Sequence, residues 1–222
     1  MGFTAPPGGL FNSTKHVVND HTYCCQLSAS ICAAGEPSLD DAVVCRDWHD
    51  KRVGTRADDA RRYGLPLFIS EFGACLNSSA CVQEITAVTE ASDQHLAGWA
   101  YWQLKNYADL TTSAGTNSEG FYNFDGTLQE GKVKSLARTY LLATQGVLKS
   151  MRFNSETADF LASFVVDTSI PEASILYKSD QYWYPNGFVL SLYDSHGNAL
   201  SVEKGDYTLE FTANYARFAV VR

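Results

Sequence analysis

The chain has 222 residues, 45% hydrophobic and 13% aromatic, enough apolar material for a sizeable core in one large or two small domains. Its 17 Lys and Arg stand against 25 Asp and Glu, and this net charge of -8 disfavours nucleic acid, whose phosphates need a basic surface, and suits neutral substrates. With 19% charged residues and no low-complexity tract the chain is not disordered, and no apolar run reaches the roughly 20 residues of a membrane-spanning helix.

Residues 1–15, rich in Gly, Pro, Ser and Asn, read as a loop, without the basic and then apolar pattern of a signal peptide. A first strand is expected over residues 16–25, followed by a long cysteine-containing connection. Residues 39–63 read as a helix carrying Val43, Val44, Trp48 and Val53 at three- and four-residue spacing, stopped by Gly64. The apolar run 65–73, ending in Glu71-Phe72-Gly73, reads as a buried parallel strand. A second helix is expected over residues 80–95, with Val82, Ile85 and Val88 inward and Glu84 and Glu90 in solvent, and a further strand over 96–103. A polar loop with Asp109, Asn117 and Glu119 leads to a third helix over 132–144. Strand and helix alternate throughout, which calls for a parallel sheet with right-handed crossovers. From residue 151 the texture changes to short strand-like runs at 160–167, 174–177, 188–193 and 207–212, separated by turns such as Tyr184-Pro185-Asn186-Gly187. This predicts a small antiparallel β-sandwich, with the boundary near residue 148.

All six cysteines, Cys24, Cys25, Cys32, Cys45, Cys75 and Cys81, lie in the first 81 residues; disulfides are expected, with 15 pairings open and Cys75 and Cys81 near enough to clip a short loop. A zinc site is the weaker reading, because no Cys-x-x-Cys pair is present. The sequons at Asn12 and Asn77 point with the cysteines towards a secreted or lumenal setting. Glu71 stands at the carboxyl end of its strand, where parallel barrels hold their catalytic groups; the competing role is a cap or a partner for Arg61 or Arg62. Trp102, at the same end of the next strand, offers an indole floor for a sugar ring, or plain core. His21 and Tyr23, two apart, share one strand face, from which a phenol can hold a neighbouring carboxylate ionised. His16, His49, His95 and His196 read as structural or exposed, and no Gly-x-Ser-x-Gly elbow or phosphate loop occurs.

In this order, His21-Thr22-Tyr23-Cys24-Cys25, Phe68-Ile69-Ser70-Glu71-Phe72-Gly73-Ala74 and Gly98-Trp99-Ala100-Tyr101-Trp102-Gln103 resemble the last three barrel strands of glycoside hydrolase family 5. The subgroup most similar is the endoglycoceramidases, which cut the bond between a glycan and ceramide. Glu119-Gly120-Phe121-Tyr122, Asp125-Gly126, Arg138-Thr139-Tyr140 and Thr144-Gln145-Gly146 look like the same subgroup, so the likeness runs from about residue 16 onward. The resemblance implies a partial (β/α)8 TIM barrel, about strands six to eight, over residues 16–147, and a C-terminal β-sandwich over 148–222. By the same resemblance Glu71 matches the catalytic nucleophile, Tyr23 the tyrosine that orients it, His21 a sugar-subsite histidine and Trp102 the stacking tryptophan. It implies retaining hydrolysis of a glycolipid or oligosaccharide, with no metal and no cofactor.

The family's general acid/base is the Glu of an Asn-Glu pair, and no Asn-Glu dipeptide occurs here. Glu36, Asp109 and Glu119 are conceivable substitutes without motif support. The chain therefore reads as a carboxyl-terminal portion lacking strands one to five, since a whole barrel takes about 250 residues. The competing expectation is a non-catalytic remnant or a sugar- or lipid-binding module, using aromatics among Tyr177, Tyr182, Trp183 and Tyr184 and touching a membrane surface peripherally.

Overall fold

The computed structural model describes residues 9, 15–104, 119–194, 196–200 and 216–221. The expected strand 207–212, the Asn12 sequon, Asp109 and Asn117 lie outside the described residues. The chain divides into two compact units, Met1–Leu136 and Ala137–Arg222.

In the first unit β1 (Val18–Thr22) leads through a short helical turn, Cys24–Gln26, and another, Leu39–Asp41, into α1 (Ala42–Tyr63). Then come β2 (Leu67–Phe72), α2 (Ser79–His95), β3 (Gly98–Trp99) and α3 (Glu130–Leu136). The three strands form one parallel sheet in the order β1-β2-β3, as alternating strands and helices require. Ser78 caps α2 by accepting from the Cys81 N–H at 3.0 Å, and α1 ends at Gly64 in the left-handed conformation. The core between sheet and helices holds Ile69 and Phe72 of β2, Val53 and Ala57 of α1, and Ile85 and Val88 of α2.

The buried stripe of α1 is Cys45, His49, Val53, Ala57 and Ala60: of the expected residues Val53 is buried and Trp48 partly so, whereas Val43 is 74% exposed and Val44 46%. Small and polar side chains carry most of that stripe, so the positions of the large apolar residues alone misplace it. Glu84, expected in solvent, is buried because His49 receives it. The strand expected over 96–103 keeps only two ladder residues, although the chain continues beside β2 through Ala100 N–H to Ile69 O and Trp102 N–H to Phe72 O, each 2.9 Å. The third helix stops at Leu136, because Tyr140–Ala143 is drawn into a strand by a partner far along the chain.

That strand opens the second unit as β4 (Tyr140–Ala143), followed by β5 (Gly146–Phe153), β6 (Phe160–Val166), β7 (Ile175–Tyr177), β8 (Val189–Asp194), β9 (Ala199–Leu200) and β10 (Ala216–Val221). They form a five-stranded antiparallel sheet in the order β5-β6-β10-β8-β9 and a two-stranded pair β4-β7. The division thus falls before the boundary placed at residue 148, because β4 and the start of β5 already pair with later strands. Phe153, Phe160, Phe164 and Leu192 of the larger sheet and Leu141 of β4 share one core with Trp183 and Tyr184. Phe153 meets Trp183 edge-on with ring centroids 4.9 Å apart, and the Tyr184 hydroxyl donates to Ala158 O at 2.8 Å. Trp183 and Tyr184 are therefore core rather than surface aromatics, whereas Tyr177 is exposed.

Ile69 and Phe164 are fully buried, one in each core. Truncating either to Ala is expected to cost about 2–5 kcal/mol, and urea titration of each variant checks this. A loss under about 1 kcal/mol at either site would contradict the packing described.

Candidate active site

The register of the parallel pair sets His21 opposite Glu71, just past an irregularity in the ladder between Asp20 and His21. Tyr23, two residues on, returns to the same face. Its hydroxyl donates to Glu71 Oε2 at 3.1 Å, and His21 Nδ1 lies 3.3 Å from the same oxygen. The Glu71 side chain is 29% exposed, and Arg61, the competing partner, bonds Asp58 instead. Glu71 thus has one carboxylate oxygen bonded by Tyr23 and faced by His21, on a side chain that is still partly exposed.

A cleft of about 410 Å³ opens over this pair, lined among others by Tyr23, Glu71, Trp102, Glu36 and Glu119. Trp102 is fixed there by its backbone: its N–H donates to Phe72 O, and its C=O accepts from Ala74 N–H at 2.8 Å. Gly73, between the two strand ends, has φ +94°, and a Cβ on it would stand 2.1 Å from the Tyr101 ring. Only glycine lets Tyr101 pass so close behind Glu71. The four residues singled out from the sequence therefore gather at one end of the sheet. Glu36 and Glu119 also line the cleft; Glu36 accepts from the Leu76 N–H at 2.8 Å, and Glu119 is 4% exposed.

Burial, followed by the charge and hydrogen bond of Glu71, pushes the Tyr23 phenol well above its ordinary range, so it remains a donor. Tyr101, which donates to Glu119 O at 2.9 Å, is raised chiefly by burial. Lys132, 2% exposed, gives its ammonium to the carbonyls of Cys75 (2.9 Å), Gly120 (3.0 Å) and Glu119 (3.3 Å). Burial pushes it down to about 8, against the pull of Glu36 and Glu119. Neither Tyr101 nor Lys132 stands out in the sequence, because one sits in an aromatic run that reads as core and the other at the start of a polar helix.

The three disulfides pair Cys24 with Cys45, Cys25 with Cys32 and Cys75 with Cys81. Among the described residues two clusters have metal-like spacing, Cys24, Cys45 and Glu84, and Glu36, Cys75 and Cys81. In both the sulfurs are bonded to each other and offer no thiolate.

Residues 4–108 match the family model for cellulase, glycosyl hydrolase family 5. This stretch is thus similar to family 5 sequences, in line with the resemblance of its strand-end motifs. An endoglycoceramidase of Cyanea nozakii is 24% identical over 194 residues, which cover 86% of this chain and 35% of that protein. Endo-glycoceramidase II from Rhodococcus sp., solved with ganglioside GM3, superposes with a TM-score of 0.58 at 16% identity over 92% of this chain and 41% of that one. Its lactosyl-enzyme intermediate gives 0.56 at 19% identity, covering 81% and 38%. Sterylglucosidase 1 of Cryptococcus neoformans gives 0.56 at 12% identity, covering 80% and 32%. The chain spans about a third of the length of its curated relative, and the solved structures share the mixed α/β fold of family 5 barrels with it.

The titrations around the cleft give a signed prediction. Lys132 ionises lower in the folded chain than its ordinary 10.5, so the unfolded chain binds more protons between about pH 8 and 10.5 and stability rises there. Tyr23 and Tyr101 are raised above 10.0, so they oppose this and reduce stability above about pH 10. Urea midpoints between pH 7 and 11 should show the rise before the fall, and Lys132→Met should remove the rise.

Proposed function

We propose that this chain carries the nucleophilic half of a retaining family 5 endoglycosidase that hydrolyses the O-glycosidic bond between glycan and ceramide in glycosphingolipids. The observation that carries the reading is Glu71 at the carboxyl end of β2, one oxygen bonded by Tyr23 and faced by His21, in an open cleft beside Trp102. On this reading β1, β2 and β3 stand as about strands six to eight of a (β/α)8 barrel, and β4 to β10 as a β-sandwich domain. The names of the endoglycoceramidase relatives support the substrate class, and the disulfides suit a secreted or lumenal enzyme.

The chemistry follows from the arrangement. The free oxygen of Glu71 attacks the anomeric carbon while the other stays held by Tyr23, so the attacking lone pair is aimed and the carboxylate remains ionised. The glycosidic C–O bond breaks as the Glu71–carbon ester forms, and the ceramide oxygen leaves with a proton from a general acid. Water then attacks the same carbon from the vacated face, losing its proton to that group acting as base, and the sugar departs with its configuration retained. The second carboxyl group must stand about 5–5.5 Å from the first, and in this family it is the Glu of an Asn-Glu pair, a dipeptide that this sequence does not contain. Trp102 supplies a stacking floor and His21 a hydrogen-bonding wall for the sugar. No step needs a metal or a cofactor, and the net charge of -8 suits a neutral glycan rather than a polyanion.

A 2-deoxy-2-fluoro glycoside with a dinitrophenolate leaving group isolates the half reaction, because that group departs without protonation. Mass spectrometry should find the sugar on the peptide holding Glu71, and Glu71→Gln should abolish the adduct. Tyr23→Phe should slow labelling about tenfold, the worth of one hydrogen bond to a charged group. Trp102→Ala should weaken binding of the reagent more than the rate of attack. A folded chain that is never labelled removes Glu71 as nucleophile.

A further inference from the structure

Next to the Glu71 pair lies a second group of side chains, Thr22, His49 and Glu84, of which Glu84 also borders the cleft. β1 is an edge strand of its sheet as described, and its ladder to β2 shifts register between Asp20 and His21. Sheet hydrogen bonding is thus least regular just where His21 and Tyr23 must be placed. Three side chains of α1 take hold of these consecutive residues instead. Arg52 Nε donates to His21 O at 2.8 Å, His49 Nδ1 meets Thr22 Oγ1 at 2.7 Å, and Trp48 Nε1 donates to Tyr23 O at 3.0 Å.

Thr22 and His49 are both fully buried, and His49 Nε2 lies 3.0 Å from Glu84 Oε2 on α2. In the tautomer with its proton on Nε2, the ring donates to Glu84 and accepts from the Thr22 hydroxyl at Nδ1, so both nitrogens are used. Strand alternation explains the arrangement, since Thr22 points away from the face that His21 and Tyr23 share. A buried imidazole and carboxylate cost desolvation, and apolar side chains of similar size would fill the space at no such cost. What a fully bonded polar network adds is a single defined geometry.

We propose that Thr22, His49 and Glu84 form a positioning relay that fixes the end of β1 and thereby aligns Tyr23 and His21 on Glu71. The proposal rests on Glu71 as nucleophile, and it makes His49 a positioning residue that acts through Thr22 without touching substrate.

Thr22→Val keeps the shape and removes the hydroxyl, and Thr22→Ser restores it. Two scales read the result in the full chain: the rate of Glu71 labelling by the activated fluoroglycoside, and the ring-carbon chemical shift of labelled Tyr23 at pH 7, assigned with Tyr23→Phe. The valine variant should label about tenfold more slowly with unchanged reagent affinity, and its Tyr23 resonance should move from the parent position towards that of a solvated tyrosine; serine should recover both. A folded valine variant matching the parent on both scales overturns the relay. If the parent is not labelled at all, the proposed function falls, while the Tyr23 resonance still decides the relay. Should Thr22→Val not fold, Glu84→Gln, which keeps shape and removes the charge at Nε2, is read on the same scales in the same direction.

Discussion

One carboxylate oxygen organises the amino-terminal unit. Glu71 Oε2 takes a bond from Tyr23 and faces His21, and both come from a strand whose register must be right to a single residue. A slip of one place would turn both side chains to the opposite face. The molecule meets this demand from behind the strand, where α1 grips the chain at His21, Thr22 and Tyr23, and from below, where Ile69 and Phe72 are fixed in the core. The open end of the sheet is therefore polar and specific because the closed end is apolar and packed.

Much of this was legible in the sequence. An apolar run ending in a carboxylate, and a His and Tyr two apart on a neighbouring strand, are local patterns, and the structure places them as the patterns imply. Long-range causes were not legible. Tyr140–Ala143 reads as the end of a helix and becomes a strand because Ile175–Tyr177 pairs with it. Glu84 sits where helical periodicity expects solvent, yet it points inward to a histidine separated from it by 35 residues. Of six cysteines, spacing alone suggested the clip of Cys75 to Cys81, whereas the longer Cys24–Cys45 link depends on the docking of a helix.

The polar groups buried around the cleft share a logic. Lys132 is surrounded by three carbonyls, and His49 by a hydroxyl and a carboxylate. Each joins segments distant in sequence: Lys132 links the chain after Glu71 to Glu119 and Gly120, and His49 links β1 to α2. Directional bonds of this kind weaken steeply with misalignment, whereas apolar contacts tolerate sliding. The site is thus held by geometry where it must be exact and by packing elsewhere.

The vicinal pair Cys24-Cys25 sends its two sulfurs in different directions, one inward to Cys45 of α1 and one to Cys32 in the connecting segment. Adjacent thiols compete for the same partners during oxidation, and exchange between them proceeds through mixed disulfides. A chain that closed Cys25 onto Cys45 and Cys24 onto Cys32 would retain the same number of bridges and the same mass, yet would attach α1 one residue further from Tyr23. Which of the two neighbouring sulfurs meets Cys45, and not the number of disulfides, is therefore what ties the chain beside Tyr23 to α1.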